Sequence, residues 1–132
     1  MYLGSCLCGK VTYRLESSPG VFVYCFCVDC RKGSGSAHSA NASIDLHDLR
    51  FLSGELLLRE FESSPGQFRL FCSNCGSPIY SRSDKSPGTL RLRLGTLDTS
   101  YYGEPKAHIW VSQRANWDKH RIDIARFETG GY

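Results

Sequence analysis

Seven cysteines are the residues of this 132-residue sequence best able to do chemistry, and they fall into three short clusters. Spacings of one or two residues are too local for useful disulfide loops, but they can place two sulfur atoms on one metal ion from a single turn. The clusters are Cys6-x-Cys8, Cys25-x-Cys27-x-x-Cys30 and Cys72-x-x-Cys75. We therefore predict that thiolates bind zinc, with iron in a four-sulfur cage as the alternative.

The first and last clusters share a feature that groups them into one site. Each ends in Cys-Gly, at Cys8-Gly9 and Cys75-Gly76, and glycine permits the positive φ of a tight knuckle. The simplest division of the seven cysteines is into a site of four and a site of three. Pairing the middle cluster with one flanking cluster would leave the remaining cysteines without a metal site. Four thiolates make a closed structural site, whereas three protein ligands leave a position open for chemistry. The alternative is a second structural site at the middle cluster, completed by His38, His47, His108 or an aspartate.

Strand patterns predominate in the segments that must position these clusters. Leu90, Leu92 and Leu94 alternate with arginines, and Ile122 and Ile124 alternate around an aspartate, as in half-buried strands. More buried strands are predicted at residues 21–24, 56–58 and 68–71, and three Ser-Pro-Gly sequences mark turns. Helical turns are predicted only near residues 31–33 and 113–117. We predict one all-β domain, residues 1–132, of short strands held together by metal knuckles.

Composition excludes several classes of protein. Hydrophobic residues at 41% and charged residues at 22% are typical of globular chains, and no apolar run approaches the roughly 20 residues of a membrane span. The amino terminus resembles no secretory signal, so we expect a cytoplasmic protein without a membrane partner. The formal charge of +3 vanishes if the seven cysteines bind two zinc ions as thiolates. No nucleic-acid partner is therefore expected.

Four ordered motifs carry a resemblance to a known family. They are Gly4-Ser5-Cys6-Leu7-Cys8-Gly9-Lys10-Val11-Thr12-Tyr13, Cys25-x-Cys27-x-x-Cys30-Arg31-Lys32, Phe71-Cys72-x-x-Cys75-Gly76-Ser77 and Pro105-x-x-His108-Ile109-Trp110. From about Gly4 to Phe127 the chain resembles the glutathione-dependent formaldehyde-activating enzymes, also called the centromere protein V/GFA domain family, with an Mss4-like β fold. One departure is Phe26, which stands where the family usually has a histidine, so a proton relay at that position is lost.

The resemblance implies a ligand set, a co-substrate and a reaction. A structural zinc falls on Cys6, Cys8, Cys72 and Cys75, and a second, exchangeable zinc falls on Cys25, Cys27 and Cys30. Glutathione would coordinate the second zinc and add to formaldehyde, giving S-hydroxymethylglutathione, and the reverse step is a carbon–sulfur lyase reaction. The chemistry agrees, because a zinc ion bound by three thiolates is a poor activator of water but a natural partner for an external thiol.

Three further residues are candidates for contacts with glutathione. Arg31 and Lys32 directly follow the third ligand of the open site and could pair with the two carboxylates of glutathione; alternatively they form a solvated loop. His108 could reach the open site, although a hydrogen bond in the core is favoured. The function class has alternatives as well, namely a carrier of glutathione–aldehyde adducts and a non-catalytic, zinc-stapled module that binds protein or chromatin.

Overall fold

The computed structural model describes residues 1–119 and 121–131. Within these residues the chain forms ten short strands and one α-helix, which confirms the predicted all-β class. The strands are β1 (Tyr2–Ser5), β2 (Thr12–Leu15), β3 (Phe22–Cys25), β4 (Ser39–Asp45), β5 (Leu49–Ser53), β6 (Leu58–Ser64), β7 (Gln67–Cys72), β8 (Pro78–Ser83), β9 (Thr89–Arg93) and β10 (Ala107–Ile109). The helix is α1 (Val28–Ser34), which includes the predicted helical turn at residues 31–33.

The strands form two sheets. The smaller sheet has the order β1-β2-β5, and the larger has the order β10-β3-β4-β9-β8-β7-β6. The pairing in both is antiparallel except between β10 and β3, which run parallel. The larger sheet therefore places β3, which leads into the middle cysteine cluster, between β10 and β4.

The hydrophobic core lies between the two sheets. The smaller sheet contributes Tyr13 and Leu15 of β2, together with Val11 just before that strand. The larger sheet contributes Leu90 and Leu92 of β9. All five side chains are at most 1% exposed. Because side chains alternate along a strand, Arg91 and Arg93 of β9 project to the opposite face of the larger sheet. The larger sheet therefore has one face that carries charged side chains and an opposite face that packs against the core.

Some predicted strands differ from the observed elements. Leu56 and Leu57 lie in a 3-10 turn, Glu55–Leu57, which follows Gly54 at a φ of +73°, and Leu56 is 93% exposed. The strand predicted at Ile122 and Ile124 does not form. Both residues lie outside the strands and their side chains are exposed. Among the described residues, no helix is long and apolar enough to cross a membrane.

Candidate metal centre and adjoining cavity

Two groups of cysteine side chains converge in the structure, and they match the partition into four and three. One group is Cys6, Cys8, Cys72 and Cys75, and the other is Cys25, Cys27 and Cys30. Within each group the Sγ atoms lie within 4.8 Å of one another. All seven cysteines are free thiols. Each group can therefore hold a metal ion.

The four-cysteine group is built from two knuckles. Gly9 and Gly76 have φ angles of +78° and +81°, and their amides donate to the carbonyl oxygens of Cys6 and Cys72 over 3.0 and 2.7 Å. This confirms the reason for a glycine after each pair. The amide of Leu7 donates to Oγ of Ser77 over 2.8 Å and joins the knuckles directly.

The sulfur spacing of this group suits a tetrahedral thiolate site. With metal–sulfur bonds of about 2.3 Å, the sulfur atoms of a zinc tetrathiolate lie about 3.8 Å apart. Sγ of Cys8 lies 3.5 Å from that of Cys6 and 3.9 Å from that of Cys72. Hydrogen bonds from Ser77 lower the pKa of the Cys75 thiol to about 5, so this ligand is readily deprotonated. The donor set is compatible with zinc.

The three-cysteine group lies where β3 passes into α1. Cys25 is the last residue of β3 and is buried, whereas Cys27 caps the helix and accepts the amide of Cys30 at Sγ over 3.3 Å. The amide of Phe26, between them, donates to the carbonyl of Ile109 over 3.0 Å, which fixes this turn against β10. The three sulfur atoms are thus presented by six consecutive residues and supported from the neighbouring strand.

Polar neighbours stabilise a thiolate in this group. The guanidinium of Arg69, on β7, lies 3.7 and 3.9 Å from Sγ of Cys30 through its two terminal nitrogens. Hydrogen bonds from Cys25, Ser39 and Arg69 lower the pKa of Cys30 to about 4, against the effect of burial, and the same bond to Cys30 raises the pKa of Cys25. Cys30 is therefore readily deprotonated, as a metal ligand must be.

A cavity of about 600 Å³ opens beside the three cysteines, within the usual range for small-molecule sites. Three of the residues that line it are arginines, Arg69, Arg91 and Arg93. Arg93 is 8% exposed, and although burial lowers its pKa to about 10, it stays charged at neutral pH. Asp29 is the one carboxylate among the lining residues that the structure describes. The cavity is therefore cationic, with one acidic residue beside the thiolates.

Arg31, Lys32 and His108 are not among the residues that line this cavity. Arg31 is partly buried and Lys32 is exposed on α1. His108 lies on β10 among aromatic rings, 5.5 Å from the ring centroid of Tyr24 and 5.2 Å from that of Phe26. None of these three side chains is therefore part of the cavity lining.

His38 and the tryptophan of the cavity lie in different surroundings. His38 packs 5.0 Å from the ring centroid of Phe26, so it lies in the same aromatic cluster as His108. Trp110 lines the cavity, is 59% exposed and has a φ of +58°, which is unusual for a side chain of this size. Trp117 and Tyr102 are exposed.

Sequence reasoning missed the arginines of β7 and β9. In the sequence, Arg91 and Arg93 serve as the polar half of an alternating strand pattern, which says only that they face away from the core. Their convergence with Arg69 depends on β9, β8 and β7 being neighbours in the sheet. One signal in the sequence could have indicated these residues. Three arginines occupy outward-facing strand positions at which serine or threonine would be sufficient for a face exposed to solvent.

Comparison with known proteins gives the family and the fold. The sequence model described as glutathione-dependent formaldehyde-activating enzyme matches residues 1–113. A crystal structure of a Rhodobacter sphaeroides protein superposes with a TM-score of 0.66 at 23% identity, covering 80% of this chain and 98% of that one, which shows a shared fold. No curated protein matches the sequence significantly. The family match spans both cysteine groups and all residues that line the cavity, and the chain therefore belongs to the glutathione-dependent formaldehyde-activating enzyme family.

Proposed function

We propose that this protein is a zinc-dependent carbon–sulfur lyase that forms and cleaves adducts of glutathione with formaldehyde or a related small aldehyde, in the cytoplasm. It would hold two zinc ions, a structural one on Cys6, Cys8, Cys72 and Cys75 and an exchangeable one on the group of three. One observation carries the proposal: three converging cysteine side chains, which could hold a metal ion and leave it a fourth position, line a cavity together with three arginines.

The reaction is the addition of a thiol to a carbonyl. The sulfur gives up its proton and forms a bond to the aldehyde carbon, the carbonyl π electrons move to oxygen, and that oxygen takes up a proton; the reverse step returns thiol and aldehyde. A zinc ion held by Cys25, Cys27 and Cys30 would supply an open position where an external thiol binds as its thiolate. The task left to the chain is to bind and orient glutathione.

The charges of the cavity suit glutathione. Its two carboxylates can be bound by Arg69, Arg91 and Arg93, because a guanidinium offers paired donors in carboxylate geometry. Its single ammonium can pair with Asp29. A zinc ion with three thiolates carries a charge of −1, and together with the three arginines and Asp29 the site keeps a small excess of positive charge. Glutathione as a thiolate carries a net negative charge and is attracted to that excess.

The presence of Phe26 supports a site that binds and positions its reactants. It argues against proton transfer by a side chain at position 26. The side chain is 1% exposed and lies between the rings of His38 and His108, with the guanidinium of Arg114 4.8 Å from its ring centroid. It has no group that transfers a proton. A carrier that binds the adduct without turnover is therefore the second candidate.

The proposal is tested by substituting cobalt for zinc and titrating with glutathione. Cobalt reports thiolate coordination in its visible absorption, so a saturable change with glutathione that is absent with S-methylglutathione supports thiol binding at the open site. Unchanged spectra from two loaded sites would reject it and leave the zinc-stapled binding module. Magnetisation exchange between formaldehyde hydrate and the adduct, measured by NMR with and without protein, then separates the enzyme from the carrier.

A further inference from the structure

Trp110 has a backbone conformation that a tryptophan rarely adopts. Its φ and ψ angles are +58° and +37°, in the left-handed region. In the part of the chain that the structure describes, it is the one residue other than glycine with a positive φ. A bulky side chain in this region is an outlier that costs free energy, and such outliers cluster at functional sites, where the surrounding structure imposes them. The side chain of Trp110 is therefore a candidate for a role in binding.

Hydrogen bonds on both sides of Trp110 hold it in place and tie it to the segment that carries the three cysteines. The carbonyl of Ile109 accepts the amide of Phe26 over 3.0 Å, and the carbonyl of Trp110 accepts the amide of Gln113 over 3.0 Å. Oε1 of Gln113 in turn accepts the amide of Val28 over 2.9 Å. Phe26 and Val28 are the two neighbours of one cysteine of the group, so the backbone of Trp110 is positioned from the candidate metal site itself.

Three apolar residues line the cavity at the end where Trp110 lies. Trp110 is 59% exposed, and it follows Ile109, the last residue of β10, which is 37% exposed. Val23, on the neighbouring strand β3, is the third. Because removing apolar surface from water is favourable, this end of the cavity suits an apolar group of a ligand.

The order of the strands places this apolar end and the arginines on opposite sides of Cys25. In the larger sheet β3, which ends in Cys25, lies between β10 and β4. Arg91 and Arg93 are on β9 and Arg69 is on β7, and both strands lie beyond β4. A glutathione whose carboxylates bind the arginines and whose sulfur lies at the cysteines therefore has its peptide on one side of the sulfur. A group attached to that sulfur extends towards Trp110 on the other side.

We propose that the indole of Trp110 packs against the apolar substituent of an aldehyde that has added to the sulfur of glutathione, so that the substrates are aldehydes with an aliphatic or aromatic group. The inference rests on the proposed function, which places the sulfur at the three cysteines and the carboxylates at the arginines. Addition of the thiol to the carbonyl gives a hemithioacetal; the sulfur loses a proton and the oxygen gains one, so no co-reactant is needed. The substituent is then attached to the carbon bonded to sulfur. Formaldehyde has no such group, and Trp110 is thus a specificity-determining residue.

The test compares stable mimics of these adducts on the zinc-loaded protein by calorimetry. The ligands are glutathione, S-methylglutathione and S-butylglutathione, whose chain is longer than that of the S-methyl conjugate by three methylene groups. Full burial of one methylene group raises an affinity about fourfold, so partial burial of three should make the wild-type protein bind the S-butyl conjugate about tenfold more tightly than the S-methyl conjugate. In Trp110→Gly, where glycine accepts the positive φ, the two affinities should differ by less than about threefold. The affinities for glutathione and the S-methyl conjugate should stay within about twofold of the wild-type values, because neither ligand reaches the indole.

Trp117→Gly is the matched control, because Trp117 is also exposed, at 63%, but is not among the residues that line the cavity. It should keep the preference for the S-butyl conjugate. It also leaves Trp110 as the single tryptophan of the chain, and the fluorescence of Trp110 should shift to shorter wavelength with S-butylglutathione but not with S-methylglutathione. Trp110→Asn repeats the test if Trp110→Gly does not fold, since asparagine also tolerates a positive φ.

Several outcomes overturn the inference and leave the proposed function standing. They are a wild-type protein that binds glutathione without preferring the S-butyl conjugate, a preference that survives in the Trp110 variants, and a loss of the preference in Trp117→Gly. An equal loss for all three ligands in Trp110→Gly also overturns it, because the indole would then contact the peptide of glutathione. Failure of the wild-type protein to bind glutathione or either conjugate overturns the proposed function instead.

Discussion

The two cysteine groups differ in what holds their sulfur atoms together. The group of four joins chain segments that are far apart, and the contact between Cys8 and Cys72 spans 64 positions of sequence. The group of three comes from six consecutive residues, Cys25 to Cys30, and its segment can present the sulfur atoms without closing a long loop. A metal on the first group therefore crosslinks the fold, whereas a metal on the second rests on a fold already formed.

The two cysteine groups also differ in what surrounds them. Cys6 and Cys72 belong to the hydrophobic core cluster, and the polar support of their site comes from its own knuckles, as with the amide of Val11 at 3.3 Å from Sγ of Cys6. Cys30 is instead contacted by Arg69 from β7 and borders a cavity. One group is therefore supported by the core and by its own knuckles, whereas the other borders a cavity.

The largest expected effect is that of Cys72→Ser on stability. Structural thiolate sites contribute folding free energy directly, and Cys72 is fully buried in the core. We expect the free energy of unfolding to fall by more than about 4 kcal/mol, which is most of the stability of a small domain. Urea denaturation monitored by circular dichroism measures the change, and a chelator should affect the wild-type protein in the same way.

Cys27→Ser removes one ligand of the group of three and should impair metal and glutathione binding without unfolding the protein. We expect a folded protein that holds one metal ion per chain where the wild-type protein holds two, and whose cobalt spectrum no longer responds to glutathione. The loss of stability should stay below about 1.5 kcal/mol, because Cys27 is partly exposed and outside the main core cluster. Elemental analysis and the same denaturation assay give both numbers. If Cys27→Ser and Cys72→Ser unfold alike, the distinction between the groups is wrong.

The sequence predicted the two cysteine groups because their information is local. Knuckle spacing and the glycines after Cys8 and Cys75 describe turns of a few residues, and the structure forms these turns. The strand at Leu90 and Leu92 was predictable for the same reason, since a period of two needs no knowledge of the partner strand.

The cavity could not be predicted, because strand order decides its lining. Arg69 and Arg93 are 24 positions apart, and they meet only because β8 lies between β7 and β9. Local reasoning looked instead to Arg31 and Lys32, which adjoin Cys30 in the chain but do not line the cavity. A helix turns successive side chains to different sides, so adjacency in sequence did not become adjacency in space.

Arg69→Met should weaken glutathione binding by about 10- to 100-fold, since hydrogen bonds to charged groups contribute about 1.5–3 kcal/mol. Metal content should stay at two ions per chain, which separates a binding role from a structural one. Arg31→Met and Lys32→Met are the controls, with an expected change below about twofold. Calorimetry on the zinc-loaded variants gives the affinities. Equal losses in the controls would mean that the carboxylates bind to α1 and not in the cavity.

The smallest expected effect comes from Gly33→Ala, which tests whether α1 sets the position of Arg69. A Cβ at Gly33 would lie 3.2 Å from Nη1 of Arg69, so the guanidinium must move by a few tenths of an ångström. We expect glutathione affinity to fall by about two- to fivefold, by partial loss of the contact that Arg69→Met removes entirely.

The stability of Gly33→Ala should change by less than about 1 kcal/mol, because alanine is the better helix former and offsets the crowding. Gly88→Ala is the control, since a Cβ there has open space and no contact with the cavity. Calorimetry and urea denaturation of the two variants measure both quantities. If Gly33→Ala leaves affinity unchanged while Arg69→Met abolishes it, Arg69 finds its position from β7 alone, and the open site depends on the sheet and not on α1, which contains Cys30 and is capped by Cys27.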